Sequence, residues 1–412
     1  MMPWFRSASV TAAVLILMLC AAARGQEGLA PNELIEPRHD QDYSPERGDF
    51  SLALVKQLHV PAGFHVDVLA TGLVEPRMMA RGDDGTIYIS RRHIGDVVAV
   101  PDANGGGKAD GMNIVVWQLP DVHGIAIHDR KMYLATVNAV YVADMAADGT
   151  VGAPRKIIEG LPPGGRHANR TLAVGPDGKL YITIGSTGNA NVEPDPRSAG
   201  ILHADLDGKN VEIFCSGLRN DLGMDWHPKT GQMWGMDNGN DWLGSDRPPE
   251  ELNLLEKGKH YGWPFVSGKN VPTKVDKNVP AGFDIKAWTA KSTPSVLEYT
   301  AHTAPLQSTF YRGSQFPPEY RNDYFVAMHG SGNAKPPVGY EVVRVHFNET
   351  GKPQRFEPFV RGFVIDGGQH FFGRPAGIVE AKDGSLLFSD DINGVIYRVS
   401  YTGPASRPTT AR

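Results

Sequence analysis

Six times along this chain a tight turn runs straight into a short apolar strand, and this repeat limits the fold more than any other feature. The units are Asp84-Gly85-Thr86-Ile87-Tyr88-Ile89, Asp129-Arg130-Lys131-Met132-Tyr133-Leu134, Asp177-Gly178-Lys179-Leu180-Tyr181-Ile182, Thr230-Gly231-Gln232-Met233-Trp234, Arg321-Asn322-Asp323-Tyr324-Phe325-Val326 and Asp383-Gly384-Ser385-Leu386-Leu387-Phe388. Asp84 to Asp129 and Asp129 to Asp177 are steps of 45 and 48 residues, close to the length of one four-stranded propeller blade. Long helical periodicities are scarce, and the 47 glycines and 31 prolines punctuate short alternating runs, the pattern of an all-β protein. The expected fold is therefore all-β, a six-bladed β-propeller over residues 51–403 whose loops at one end surround a central channel. The fourth step is much longer, which places an insertion at about 261–305. Residues 55–70 and 389–401 each supply a strand, and together these close the ring.

The ends read differently. Arg6, the apolar run over 10–22 and Ala23-Arg24-Gly25 fit an export signal over residues 1–25, with Gln26 as the mature start. A lipoprotein reading through Cys20 is opposed by the bulky Leu19, and a retained N-terminal anchor is the other alternative. The apolar run is short for a membrane span and nothing later approaches one, so no stable span is expected in the mature chain. Residues 26–50 form a polar, proline-containing arm, and 404–412 a disordered tail. Cleavage after Gly25 removes Cys20 and leaves only Cys215, so stability comes from a core rather than from a disulfide. Cys215 is read as a small buried residue rather than a catalytic thiol. The net charge of -5, without a basic run, argues against nucleic acid as the partner.

Chemistry enters where the repeat is broken. His167 stands before the strand that leads into the Pro176-Asp177-Gly178-Lys179 turn, and no other unit has a histidine at the same distance ahead of its turn. Histidine takes a proton near neutral pH, which suits oxidation of an alcohol or hemiacetal. On spacing alone, a histidine that only hydrogen-bonds in its loop is the commoner case. Arg219, in Ser216-Gly217-Leu218-Arg219-Asn220-Asp221, is either a surface charge or a fixed donor to a carboxylate or quinone oxygen. Gly235-Met236-Asp237-Asn238-Gly239-Asn240-Asp241, followed by Pro248-Pro249-Glu250-Glu251-Leu252-Asn253, offers the oxygens and turning backbone that Ca²⁺ uses; most such loops are merely solvated. The loop over 102–110 is also calcium-like but lacks the central acid and terminal glutamate of an EF-hand, so it reads as a hairpin turn. No Gly-x-Ser-x-Gly elbow, HExxH or paired CxxC occurs, which removes the usual support for hydrolase and zinc readings.

Together these pieces resemble the soluble quinoprotein glucose/sorbosone dehydrogenase family, nearer its sorbosone and pyranose dehydrogenase branch. The resemblance is carried by the His167 hairpin, Gly217-Leu218-Arg219-Asn220, Glu250-Glu251-Leu252-Asn253 running into Gly262-Trp263-Pro264, Ala304-Pro305-Leu306 before Phe310-Tyr311, His329-Gly330-Ser331 and Gly373-Arg374-Pro375. It covers about 60–400. It implies a six-bladed propeller holding pyrroloquinoline quinone (PQQ) and Ca²⁺, in the periplasm or secreted, that oxidises an aldose or aldehyde sugar at C1 and passes electrons to an external acceptor.

The resemblance also implies residue roles. His167 matches the general base and Arg219 an arginine over the quinone carbonyls, able to stabilise charge developing there. Asn220 matches a cofactor-binding amide, while Lys335 and Arg374 match basic residues that meet the PQQ carboxylates. Gly239 and Asn240 match backbone calcium ligands. Glu250 falls on the substrate side, and His123 faces the sugar from an earlier loop. Arg166 stands where the glucose enzymes carry an acid, and Asn240 where they carry a proline; both differences bear on the substrate. A non-catalytic glycan- or protein-binding propeller and a calcium-dependent propeller lactonase are the other functional classes.

Overall fold

A computed structural model of the chain describes residues 43–102, 107–273, 275, 279–330 and 332–403. The export-signal reading, most of the N-terminal arm, the centre of the 102–110 loop and the tail lie outside the described residues.

The chain is all-β, and the described residues hold six four-stranded antiparallel sheets. In chain order the first comprises Met79–Arg81, Ile87–Arg91, Asp96–Val100 and Asn113–Val116; the second Gly124–His128, Lys131–Ala135, Ala139–Asp144 and Arg155–Glu159. The third comprises Leu172–Val174, Leu180–Ile184, Gly200–Ala204 and Glu212–Ser216; the fourth Asp221–Trp226, Met233–Asp237, Glu250–Leu255 and Leu297–Tyr299. The fifth comprises Pro305–Phe310, Tyr324–Met328, Glu341–Phe347 and Pro353–Val360. The sixth joins Pro375–Glu380, Leu386–Asp390 and Val395–Tyr401 to Phe64–Ala70 from the start of the chain. Each turn-then-strand unit of the sequence is the turn into the second strand of one sheet. In three of these turns the aspartate accepts from the backbone N–H two residues on, Asp84 from Thr86 (3.0 Å), Asp177 from Lys179 (3.2 Å) and Asp383 from Ser385 (3.0 Å). The following glycine supplies the positive φ that such a turn needs, 72° at Gly178.

Second strands such as Leu180–Ile184, Tyr324–Met328 and Leu386–Asp390 are buried throughout, because neighbouring sheets cover both of their faces. The last strands of the first three sheets begin with exposed residues. The first strand of each sheet touches the sheet before it, and the sixth sheet touches the first. Side-chain donors stitch this inner zone: Ser90 Oγ donates to His123 O (2.7 Å), Thr171 Oγ1 to Leu222 O (3.0 Å), Tyr324 Oη to Gly223 O (3.1 Å) and Ser389 Oγ to Arg77 O (2.8 Å). Gln307 bridges the fifth, first and sixth sheets, donating to Met79 O at 2.7 Å and accepting from the N–H groups of Met79 and Ile378. Between the fifth and sixth sheets lies the aromatic part of the core, where Phe64 meets Phe316, Tyr320, Phe359 and Tyr401.

Residues 256–296 separate the third and fourth strands of the fourth sheet. They hold the hairpin Val266–Ser267/Val271–Pro272 and the helix Ile285–Lys291, capped by the Asp284 side chain. Phe265 stacks on Phe283 at 3.8 Å, and Trp288 Nε1 donates to Gly262 O at 2.9 Å. The expected insertion ended too late, because Leu297–Tyr299 pairs with Glu250, Glu251 and Leu252 as a sheet strand. Three half-exposed residues are too few to show an alternating pattern. At the N-terminal side, Glu46–Arg47 runs parallel to His370–Phe371. Cys215 is a buried free thiol, and burial pushes its pKa well up, so it is no thiolate nucleophile.

Candidate active site

In an antiparallel sheet the start of the first strand, the end of the second and the start of the third lie at one end. His123, His167, Arg219, Asn220 and Arg374 precede first strands, Gly239 and Asn240 follow a second strand, Glu250 opens a third, and Lys335 lies between a second and a third. The topology therefore sends all nine residues to the same end of their sheets.

His167 is half-buried. Its Nδ1 lies 3.1 Å from Ser186 O and 2.8 Å from Ser186 Oγ, which itself donates to Gly188 O at 2.8 Å. A carbonyl only accepts, so Nδ1 carries the proton and Nε2 is left as the acceptor. Burial, then the charge of Arg219, push the ring's pKa down to about 2, and it is neutral at any ordinary pH. Gly185 makes room: a Cβ there would lie 2.5 Å from His167 Cβ and 3.0 Å from Asn220 Oδ1, so His167 and Asn220 flank the same bare backbone. Asn220 Oδ1 is buried without a partner.

Arg219 is buried and largely engaged by the protein. Its Nη2 donates to Asn189 Oδ1 (2.5 Å) and Asp241 Oδ2 (3.1 Å), its Nε to Asn189 O (3.3 Å) and its Nη1 to Asn238 O (3.3 Å). Four of the five N–H donors of a guanidinium are thus used, and one on Nη1 remains. The ring of Trp263 lies 5.8 Å from the guanidinium carbon. Arg166 joins the group through Asp241 Oδ2 at 2.8 Å, and Asn333 through Asp241 Oδ1 at 3.1 Å.

Glu250 has no free face toward a substrate. It is 2% exposed, and its two oxygens accept from the N–H groups of Gly239 (2.8 Å) and Ala304 (3.0 Å). Burial pushes its carboxyl up to about 8 against those two hydrogen bonds. Its role here is to tie the fourth sheet to the fifth. Asp237 and Glu251 line a cavity with Gly239, Asn240, Pro248 and Trp263. Burial raises both carboxyls, and Asp237 adds to the push on Glu251. The oxygens of this cavity are of the hard kind that Ca²⁺ takes, and a cation bound there would favour the ionised carboxylates that burial disfavours.

A second charged group forms around Asp391, which follows the second strand of the sixth sheet. Asp391 Oδ2 accepts from Arg77 Nη1 (2.5 Å) and lies 2.9 Å from His329 Nε2, while Oδ1 accepts from Arg374 Nε (2.9 Å). His123 connects the two groups. Its Nδ1 lies 3.0 Å from Arg170 O, and the Arg170 guanidinium donates to His167 O at 2.9 Å. Burial, then Arg77, hold His123 neutral, and its Nε2 is a buried acceptor without a partner. Lys335 stands apart: it is exposed, with its Nζ 5.1 Å from the centre of the Tyr43 ring.

The sequence profile of the TrAA12-like family matches residues 58–402. This chain belongs to the TrAA12-like family. The family expected from the residues, that of the soluble quinoprotein sugar dehydrogenases, is thereby shown. A Borreliella burgdorferi protein described as uncharacterized is 34% identical over 364 residues, covering 84% of this chain and 92% of that protein. The pyrroloquinoline quinone-dependent pyranose dehydrogenase of Coprinopsis cinerea is 24% identical, over 85% of this chain and 56% of that enzyme. The TrAA12-like chain thus spans little more than half of that relative's length. The calcium structure of the Trichoderma reesei family AA12 enzyme superposes with a TM-score of 0.73 at 20% identity, covering 86% of this chain and 99% of that one. That likeness establishes a shared fold.

Sequence reasoning passed over Arg77, Arg170 and Asp391, and quoted Asp241 and His329 without giving either a role of its own. Two of these were within reach. Arg77, Arg170 and Arg219 each stand two residues ahead of a first strand, so aligning the repeats on their first strands rather than their turns brings all three into one column.

Proposed function

We propose that this TrAA12-like chain is a PQQ- and Ca²⁺-dependent sugar dehydrogenase, its six sheets being the blades of a six-bladed propeller exported to the periplasm or beyond. The reading rests above all on His167: a neutral imidazole, pinned through Nδ1 to Ser186 with Nε2 left to accept a proton, stands beside the cationic Arg219. The family membership and the quinoprotein relatives support the cofactor. The residues at hand fit it, since PQQ is a tricarboxylate and Arg374 leaves its terminal nitrogens without protein partners among the described residues.

When bound, PQQ would supply the two-electron acceptor for the hydride on the sugar's C1, and Ca²⁺ would polarise it. His167 Nε2 takes the proton from the C1 hydroxyl. The free N–H of Arg219 Nη1 offers one hydrogen bond and the field of a fixed cation, which favours negative charge developing nearby. Asn220 adds its unpartnered Oδ1. Gly239 and Asn240, with Asp237 and Glu251 beside them, hold the cation. Arg374 meets a cofactor carboxylate and Lys335 stands further out, where it reaches the site only by leaving Tyr43. His123, 1% exposed with its Nε2 shut away from solvent, does not reach the sugar and supports the site from behind through Arg170 O. The product is a lactone or acid, and the electrons leave to an external carrier.

The test is reconstitution. Purified protein is titrated with PQQ and Ca²⁺, and dye reduction is followed over a panel of aldoses and aldehyde sugars. A spectral change on binding and sugar-dependent reduction are expected. Absence of any change on adding PQQ sinks the proposal and favours a propeller that binds glycans or proteins without catalysis.

A further inference from the structure

We propose that the cavity on the outer flank of the fifth sheet, between Glu341 and Arg361, is a second sugar site that takes one neutral, polyhydroxylated ring. The ligand class rests on the proposed function, under which a sugar is what enters this end of the sheets; the site itself rests on the residues that wall it.

Thr300 and Thr303 lie in the link from the fourth sheet to the fifth, Glu341 opens the third strand of the fifth sheet, and Arg361 follows its fourth. Antiparallel order therefore puts this cavity at the same end as His167 and Arg219, displaced toward the outer strands. It encloses about 290 Å³, the low end of the range for small-molecule pockets, and so has room for a single small ring. Both walls are rigid. Thr303 is flanked by His302 and Ala304 at φ 65° and 54°, and Glu341 is preceded by Gly339 and Tyr340 at 74° and 56°. A bulky residue in the left-handed region stays there only because its surroundings hold it. The buried Tyr340 ring lies 4.9 Å from that of Phe371 and fills the space that a Cβ on Gly330 would enter, at 2.4 Å. Gly330 N–H donates to Thr303 O at 2.9 Å, which ties one wall to the other. The walls also touch the candidate active site: Ala304 N–H donates to Glu250, and Asn333, on the loop that ends at Glu341, donates to Asp241.

The polar groups of the cavity have bonds to spare. Glu341 is half-buried; Tyr299 Oη donates to its Oε1 at 2.9 Å, and its Oε2 has no partner among the described residues. Burial raises the Glu341 pKa against that hydrogen bond and the charge of Arg361, so donors brought by a ligand replace solvation that the carboxylate lacks. Arg361 is fixed through its backbone, which exchanges hydrogen bonds of 2.8 and 3.1 Å with His59. Its guanidinium makes no ion pair or hydrogen bond among the described residues, although Glu341 feels its charge across the cavity. An anion entering here is repelled by Glu341 and a cation by Arg361. A sugar hydroxyl donates and accepts at once, so two neighbouring hydroxyls satisfy the carboxylate and the guanidinium together. The Thr300 hydroxyl is a third partner, and Val338 and Val364 meet the C–H face of the ring. A free amino acid, which carries both charges, is the competing fit.

The test uses the full chain without PQQ. Methyl glycosides of glucose, galactose, mannose and xylose, their linear tetrasaccharides and free alanine are titrated by calorimetry into wild type, Glu341→Gln, Arg361→Ala and His167→Ala. At least one methyl glycoside is expected to bind wild type. Glu341→Gln and Arg361→Ala each weaken it by about tenfold or more, the loss of a hydrogen bond to a charged group, and His167→Ala leaves it in place. Arg361 is exposed, so Arg361→Ala keeps the thermal midpoint of wild type and separates lost binding from lost folding. If the ring belongs to a longer chain, the tetrasaccharide binds more tightly than its methyl glycoside and Arg361→Ala removes that advantage; if it is a separate molecule, the two bind alike. The site is overturned by the absence of sugar binding, by binding that neither cavity variant weakens or that His167→Ala abolishes, and by alanine binding where no sugar does. A wild type that does not respond to PQQ overturns the proposed function instead, and the sugar titrations still decide on the cavity.

Discussion

His167 is a neutral imidazole with Nε2 as its acceptor, because Ser186 accepts from Nδ1 while burial and Arg219 resist a second proton. Arg166 contributes to that resistance and its side chain is 54% exposed, so its charge can be reversed with little effect on the core. Arg166→Glu removes a cation and adds an anion, which stabilises the imidazolium and raises its pKa. The acid limb of kcat/KM is then expected to move upward by about half to one pH unit, with little change in thermal midpoint, since the Arg166–Asp241 pair is of the exposed kind worth about 1 kcal/mol or less. An unmoved limb would show that another group sets it. At this scale the sequence was readable only where chemistry and repeat disagree, as at His167. Arg77 and Asp391 are distant in sequence and meet only because the sixth sheet lies against the first, and local pattern carries no trace of such a meeting.

The six turn-then-strand units were legible because they share local rules: each runs into a second strand apolar on both faces, and three of them open on an aspartate that accepts from the N–H two residues on, followed by a glycine at positive φ. The fourth strand of the fourth sheet was not, since Leu297–Tyr299 is short and only half-buried and its pairing is decided across the forty or so residues of 256–296. The pairing of Phe64–Ala70 with Val395–Tyr401 follows from two recognisable strands, but its stability depends on an aromatic contact set that the sequence leaves scattered. Phe64 is 4% exposed and touches Phe316, Tyr320, Phe359 and Tyr401. Phe64→Ala is expected to cost about 3–5 kcal/mol, read as a lower denaturant midpoint with an unchanged slope. A loss below about 1 kcal/mol would mean that this contact does not hold the two ends together.

Across the whole molecule the charges at one end are arranged so that acids sit where desolvation disfavours their ionised form. The folded pKa of Glu250 is raised to about 8, and those of Asp221, Asp237 and Glu251 are raised too, burial being the largest cause each time. A raised folded pKa means that the native state keeps a proton the unfolded chain has lost. That stability is full below about pH 4, the unfolded carboxylate range, and is lost as pH rises through the folded values. Metal-free protein is therefore expected to melt at lower temperature at pH 8 than at pH 5, and Ca²⁺ to narrow that gap by giving the ionised oxygens a partner. A midpoint that rises with pH in the absence of metal would contradict this. The sharing of the sixth sheet between the two ends of the chain has a consequence for the order of events during synthesis. Five sheets assemble from residues made close together in time, but Phe64–Ala70, among the first strands to leave the ribosome, waits for Val395–Tyr401, one of the last. A prematurely terminated chain then carries an unpaired strand at its leading end, a template for pairing with other chains, and completeness is checked by the pairing itself.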